Sequence, residues 1–184
     1  FDATVKGRGP LVLLEGYAGV GKTALADAAR TRFSERGAIF VDGKFDQFNR
    51  GTPYASLIQA FGKLIRFISA REQSSIVGWR GRLQEAIGEV GQVLTEVIPE
   101  LEDILGPQAE LLETSPTDAR HRLQNAFARL VRGVSTAERP LVMFLDDLQW
   151  ADLPSLDLLA SLAADAELRH VLVIGAFRDN EVDA

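Results

Sequence analysis

Residues Gly16-Tyr17-Ala18-Gly19-Val20-Gly21-Lys22-Thr23 fit the pattern G-x-x-x-x-G-K-[S/T], and no other stretch restricts the fold as narrowly. The glycines let the backbone turn tightly enough for successive N–H groups to converge on phosphate oxygens. A helix starting there adds its unpaired N–H groups and positive dipole end. Both flanks suit that geometry. Leu11-Val12-Leu13-Leu14 is a short apolar run of the kind a buried strand needs, and Ala24, Leu25, Ala26, Ala28 and Ala29 are strong helix formers. A chance match to the pattern alone arises on the order of once per 10⁴ positions. The expected phosphate-binding set is Gly16, Tyr17, Ala18, Gly19, Val20, Gly21, Lys22, Thr23 and Ala24. Lys22 is expected to reach the β- and γ-phosphates of a nucleotide, and the Thr23 hydroxyl to bind Mg²⁺.

A second stretch completes this chemistry. Leu141-Val142-Met143-Phe144-Leu145 is a continuous apolar run, as in a strand buried on both faces, and Asp146-Asp147 follow at its end. Ligands of parallel α/β sheets bind at the carboxyl ends of strands. Asp146 is therefore expected to hold Mg²⁺ opposite Thr23, and Asp147 to orient or deprotonate an attacking water. Asp152 reads as a cap for the helix carrying Pro154, Leu156, Leu159, Leu162 and Ala163, with Trp150 packed under the site. A further strand over Val171–Phe177 runs into Arg178, which then stands beside the phosphate loop. Two readings of Arg178 stay open: a contact to a γ-phosphate, or an ion pair with Asp179 or Glu181.

Between these halves the chain reads as helical. Residues 1–10 show no periodicity and are expected to be an irregular lead-in; Ala38-Ile39-Phe40-Val41 reads as a second strand and 42–53 as a loop. Tyr54, Leu57, Ile58, Phe61, Leu64, Ile65 and Ile68 follow helical spacing. Ile76 through Ile98 predict one longer helix, weakened at Gly81, Gly88 and Gly91. Leu101–Leu105 is a short turn, and a last helix follows, capped by Thr117 or Asp118 and carrying Leu123, Phe127, Leu130 and Val134 on one face. Residues 54–136 are thus expected to be a helical insertion in a single domain over 1–184. Trp79 and the Arg120-His121-Arg122 group read as a solvated or packed surface, and His121 as no metal ligand.

Composition narrows the partners. A net charge of −6 with scattered arginines weighs against a nucleic-acid face. Zero Cys excludes disulfides and thiolate zinc sites, and no apolar run reaches the length of a membrane span, so a cytoplasmic setting is expected. A start at Phe1 suggests a domain cut from a longer chain.

Together, Gly16–Thr23, Asp42-Gly43-Lys44-Phe45-Asp46, Asp146-Asp147-Leu148-Gln149-Trp150-Ala151-Asp152 and Gly175-Ala176-Phe177-Arg178-Asp179-Asn180-Glu181-Val182 resemble the AAA-like STAND NTPases. These are bacterial signal-transduction ATPases joined to serine/threonine kinase, histidine kinase, cyclase or LuxR-type output domains. The Gly-Lys-Phe-Asp stretch is most similar to the kinase-fused group. The resemblance spans most of residues 11–182. It implies an α/β P-loop NTPase core with a parallel sheet of order 5-1-4-3-2, its fifth strand missing here, binding ATP with Mg²⁺ as a slow switch. It also implies fused signalling partners and leaves nucleotide-dependent oligomerisation open. By the same likeness, Lys22 and Thr23 match the Walker A pair, Asp146 and Asp147 the Walker B pair, and Arg178 a sensor-like arginine. The chain departs from the family where a Gly-Arg-Glu signature should stand near Gly7-Arg8-Gly9, and in lacking the lid expected after residue 184.

An ATP-hydrolysing regulatory domain is the first expectation. A nucleotide-binding module without useful turnover is the alternative, since Asp147 in place of Glu shortens the base by a methylene. A small-molecule kinase or a DNA-dependent ATPase of helicase-loader type ranks lower, for want of an Arg-rich lid or a basic stripe.

Overall fold

The computed structural model describes residues 1–7, 9, 11–48, 52–70, 73–109 and 115–179. Its chain order is α1 (Asp2–Val5), β1 (Leu11–Glu15), α2 (Lys22–Glu35), β2 (Ile39–Lys44), α3 (Ala55–Ser69), α4 (Gln73–Ile87), α5 (Gly91–Val97), α6 (Glu102–Leu105), α7 (Pro116–Val134), β3 (Leu141–Asp146), α8 (Leu153–Ala164) and β4 (Val171–Phe177). The chain divides into two compact units, residues 1–57 with 135–184, and residues 58–134. Among the described residues no helix is long and apolar enough to cross a membrane.

The first unit is built on a four-stranded, all-parallel sheet of order β1-β4-β3-β2. The two inner strands are the continuous apolar runs, and every residue of β3 is buried. Side chains alternate across the sheet. Val142 and Phe144 of β3 with Leu172, Ile174 and Ala176 of β4 face Ala26 of α2 in one core, with Phe33 and Phe40 packed against it. Burying those five side chains is worth on the order of 10 kcal/mol before chain entropy is counted. On β4, Gly175 leaves room for Leu148, whose Cδ1 occupies the space any side chain there would need. β1 stands at the edge, with Leu11 49% and Leu13 56% exposed.

Two expectations in this unit are corrected. The lead-in contains a helical turn, α1, fixed by tertiary contacts that leave no periodic trace. Phe1 stacks on Phe33 at 4.7 Å, Arg36 lies over the Phe1 ring and pairs with Asp2 at 2.6 Å, and His170 Nδ1 meets the Thr4 carbonyl at 3.1 Å. β2 also runs beyond Val41. Asp42, Gly43 and Lys44 have turn-like composition, yet they pair with Phe144, Leu145 and Asp146, because a buried neighbouring strand outweighs local propensity. Of the rest of the expected loop, Asn49, Arg50 and Gly51 lie outside the described residues, as do Arg8, Pro10 and the Asn180-Glu181-Val182 end of the final motif.

The second unit is helical. Phe61 and Phe127 meet at 5.7 Å between ring centroids, among the fully buried Ile65, Leu83, Leu94 and Leu130. The single helix expected over 76–98 is broken instead. Gly88 takes a left-handed φ of 58°, a 3₁₀ turn covers Gly88–Val90, and α5 restarts at Gly91. Arg129 donates to the carbonyl of Ile87 at 3.1 Å, satisfying an acceptor at the break. The cap of α7 is Ser115, not Thr117 or Asp118. Its hydroxyl accepts from the Asp118 N–H at 3.2 Å and donates to the Asp118 carboxylate at 2.6 Å. Of the two positions open to Trp79, solvated or packed, it takes the packed one, 4% exposed beneath the Arg82 guanidinium. His121 is exposed, and no group of three or more His, Cys, Asp or Glu gathers among the described residues.

Candidate functional site

β1 ends at Glu15 and α2 begins at Lys22, so the glycine-rich stretch spans a strand-to-helix turn. Gly19 and Gly21 have φ of 78° and 99°, and a Cβ at either would meet nothing within 4 Å. Glycine is required there by the backbone conformation rather than by crowding. Gly21 is the residue preceding the first helical turn, and its carbonyl accepts from Leu25 N–H at 2.9 Å. Tyr17, Ala18, Gly19, Val20, Gly21, Thr23 and Ala24 are exposed, and Lys22 is half-buried. The Lys22 ammonium donates to the carbonyls of Gly16 and of Tyr17, the latter at 3.0 Å.

Parallel pairing brings the ends of β2, β3 and β4 to the same edge as this loop. Thr23 Oγ1 donates to Asp146 Oδ2 at 2.9 Å, joining residues 123 positions apart. Asp146 Oδ1 accepts from the Asp147 N–H at 2.9 Å. Asp147 follows the strand in a left-handed conformation, φ 54°, and Trp150 N–H donates to its carbonyl at 2.9 Å to close a 3₁₀ turn. Short carboxylate side chains tolerate that conformation better than most residues.

Asp147 is buried, and both of its oxygens are engaged. Oδ2 pairs with Lys44 Nζ at 3.2 Å; Oδ1 pairs with Arg178 Nε at 3.4 Å and accepts from Gln149 Nε2 at 3.3 Å. Gln149 in turn accepts from the Arg178 backbone N–H at 3.2 Å. Burying a carboxylate is costly unless charge and hydrogen bonds compensate it, and here Lys44, Arg178 and Gln149 do so from three elements. The geometry therefore brings Thr23 to Asp146, and Arg178 to Asp147. Of the alternative ion-pair partners of Arg178, Asp179 and Glu181, the second lies outside the described residues.

Lys44 and Gln149 are the participants that sequence reasoning passes over. Lys44 is hidden by its turn-like neighbours; it is the second residue of the Gly-Lys-Phe-Asp stretch and the last of β2, and that stretch is the signal that could have found it. Gln149 sat two residues beyond Asp147 with no chemistry of its own. Asp152 does cap α8: its carboxylate accepts from Ser155 N at 2.8 Å and Ser155 Oγ at 2.7 Å, and from Tyr54 N at 3.4 Å.

Comparison with known proteins identifies the family. The sequence profile of the AAA ATPase domain matches residues 1–174. The chain is also 35% identical, over 147 residues, to the hybrid signal transduction histidine kinase G of Dictyostelium discoideum. That match covers 80% of this chain and 4% of the relative, so the chain spans a small fraction of that protein's length. By the extent of the profile match, this chain belongs to the AAA ATPase domain family.

Proposed function

We propose that the chain is an ATP-binding, ATP-hydrolysing regulatory domain of STAND type within a larger signalling protein. The observation that carries this reading is the 2.9 Å hydrogen bond from Thr23 to Asp146, which joins the phosphate-loop hydroxyl to the carboxylate at the end of β3. A hydroxyl and one carboxylate suit Mg²⁺, which takes few protein oxygens and completes its octahedron with phosphates and water. Lys22 exchanges the carbonyls of Gly16 and Tyr17 for phosphate oxygens. Bound Mg²⁺-ATP would supply the γ-phosphoryl group for transfer to water, with ADP as the leaving group. Asp147 accepts a proton from a water whose oxygen bonds to the γ-phosphorus as the bond to the β–γ bridging oxygen breaks. Arg178 meets the negative charge of the transferred group.

Two finer points belong to this reading. A fifth strand, supplied by the parent protein, lies beside β1 in a 5-1-4-3-2 sheet; the exposed Leu11 and Leu13 support it. The helical residues 54–136 are an insertion between β2 and β3, in keeping with the second compact unit. The likeness to a hybrid signal transduction histidine kinase, of which the matched region is 4%, supports a switch whose output lies elsewhere in a parent chain.

Mg²⁺-dependent binding of ATP and ADP, measured by calorimetry on wild type and Lys22→Ala, tests the reading. Wild type is expected to bind both, and the variant to lose about 2–3 kcal/mol toward ATP, as for a charged hydrogen bond. Wild type that binds neither nucleotide would sink the proposal. Binding without phosphate release would favour the second reading, a nucleotide-holding module. The engagement of both Asp147 oxygens by cations supports that alternative.

A further inference from the structure

Gly175 stands where three strands bring their side chains to one face of the sheet. Its register partners are Leu13 on β1 and Leu145 on β3, and directly paired residues point the same way. Glycine therefore leaves a gap between two leucines, and Leu148 fills it. A Cβ built at Gly175 would overlap Leu148 Cδ1 and lie 3.1 Å from Leu13 Cδ2, with Leu148 Cγ at 3.5 Å. The backbone itself does not call for glycine, since Gly175 sits in a regular strand and outside the left-handed region. What keeps a side chain out is chiefly Leu148. That residue reaches the gap because the chain reverses at Asp147. β3 ends at Asp146, Asp147 takes a φ of 54°, and the 3₁₀ turn Leu148–Trp150 lies back over β4. A left-handed backbone at a residue other than glycine persists only where its surroundings hold it. Asp147 is held on one side by its N–H to Asp146 Oδ1, at 2.9 Å, and on the other by Leu148 in its seat.

We infer that Gly175 and Leu148 form a positioning pair for Asp147: the bare backbone of β4 seats Leu148, and the seated leucine holds the turn that aims the Asp147 carboxylate into the site. Hydrogen bonds within the turn, such as Trp150 N–H to the Asp147 carbonyl, fix its shape but not its place over the sheet. Gln149 adds a polar tie through the Arg178 N–H just beyond β4. Leu148 supplies the apolar tie. A side chain that fills a fitted gap resists sliding, because close-packed neighbours leave it no other volume. If Leu148 leaves its seat, the turn shifts and carries Asp147 with it. The short side chain of an aspartate cannot make good a displaced backbone, and small misplacements of a reacting group are costly. The kinetic consequence rests on the proposed ATPase reading, whereas the seat rests on packing alone.

Two opposite changes test the pair. Gly175→Ala fills the seat while suiting the strand backbone, and Leu148→Ala empties it. Each is compared with wild type for phosphate release from Mg²⁺-ATP and for calorimetric Kd of ATP and ADP. Both are expected to lower kcat about ten-fold or more with the two Kd values kept. Combining Gly175→Ala with Leu148→Val removes the carbon that the added Cβ would overlap, so the volume is conserved. That double variant is expected to recover most of the kcat lost in Gly175→Ala. Wild-type kcat in either single variant, or no recovery in the double, would overturn the inference. Loss of ATP and ADP binding together in a single variant would overturn it as well, because the seat would then serve the fold rather than Asp147. Denaturant midpoints need no nucleotide. The shifts of Gly175→Ala and Leu148→Val are expected not to add in the double variant, as for residues in contact; additive shifts would rule the contact out. If wild type neither binds nor hydrolyses ATP, the ATPase reading fails, and the midpoints alone decide whether Leu148 sits on Gly175.

Discussion

Asp147 combines a buried carboxylate, two flanking cations and a left-handed backbone, and each property limits how it can be probed. Alanine would remove the charge and also burden a conformation that short polar side chains tolerate best. Asparagine keeps shape and backbone preference while removing the charge. Asp147→Asn is therefore expected to keep nucleotide affinity while phosphate release falls by about 10²–10⁴, the usual contribution of a positioned base. Single-turnover assays beside calorimetry check both halves, and a variant with wild-type turnover would remove Asp147 from the chemistry. At this scale the sequence was readable wherever a residue type coincided with an unambiguous position. Lys22, Thr23, Asp146, Asp147 and Arg178 each stand at a strand end or in the loop. Lys44 was hidden because Asp-Gly-Lys has the composition of a turn, and only the register with β3 shows it to be the end of a strand.

Among the elements, α8 owes its start to Asp152, which serves two donors of Ser155 and the N–H of Tyr54. Asp152→Ala should lower stability by about 1–2 kcal/mol, the range for a lost N-cap, readable as a fall in Tm. α1 depends on charge instead. The hydrogen bond and attraction of Arg36 hold the Asp2 carboxyl below the usual carboxylate range. A depressed value in the folded state stabilises above the unfolded pKa and is lost as pH falls through the folded one. Amide exchange in residues 2–5 is thus expected to quicken below the carboxylate range before the sheet opens, and Asp2→Asn should show that behaviour at neutral pH. Element bounds were legible where local signals agreed, as in α2 and β4. They failed where tertiary contacts decide: α1 leaves no period, and the apolar spacing of Ile76–Ile98 runs straight through the bend at Gly88.

For the whole molecule, the sheet order follows from the two buried apolar runs taking the inner positions, with β1 left outermost. Leu11 and Leu13 make that edge both apolar and, among the described residues, unpaired on one side, a known invitation to self-association. Leu13→Lys is expected to raise the monomeric fraction in sedimentation without loss of helical circular dichroism; unaltered sedimentation would mean the edge is already guarded. The same order carries a consequence for how the chain is made. Leu11 pairs with Val173, about 160 residues later in the chain, so β1 leaves the ribosome long before its neighbour exists. At typical elongation rates that interval is roughly 8–30 s. The helices of residues 58–134 emerge within it and can close on their own partners. The phosphate loop follows a strand with no neighbour until β4 arrives, so it takes its shape, and nucleotide binding can be gained, only once the chain has been made past Phe177.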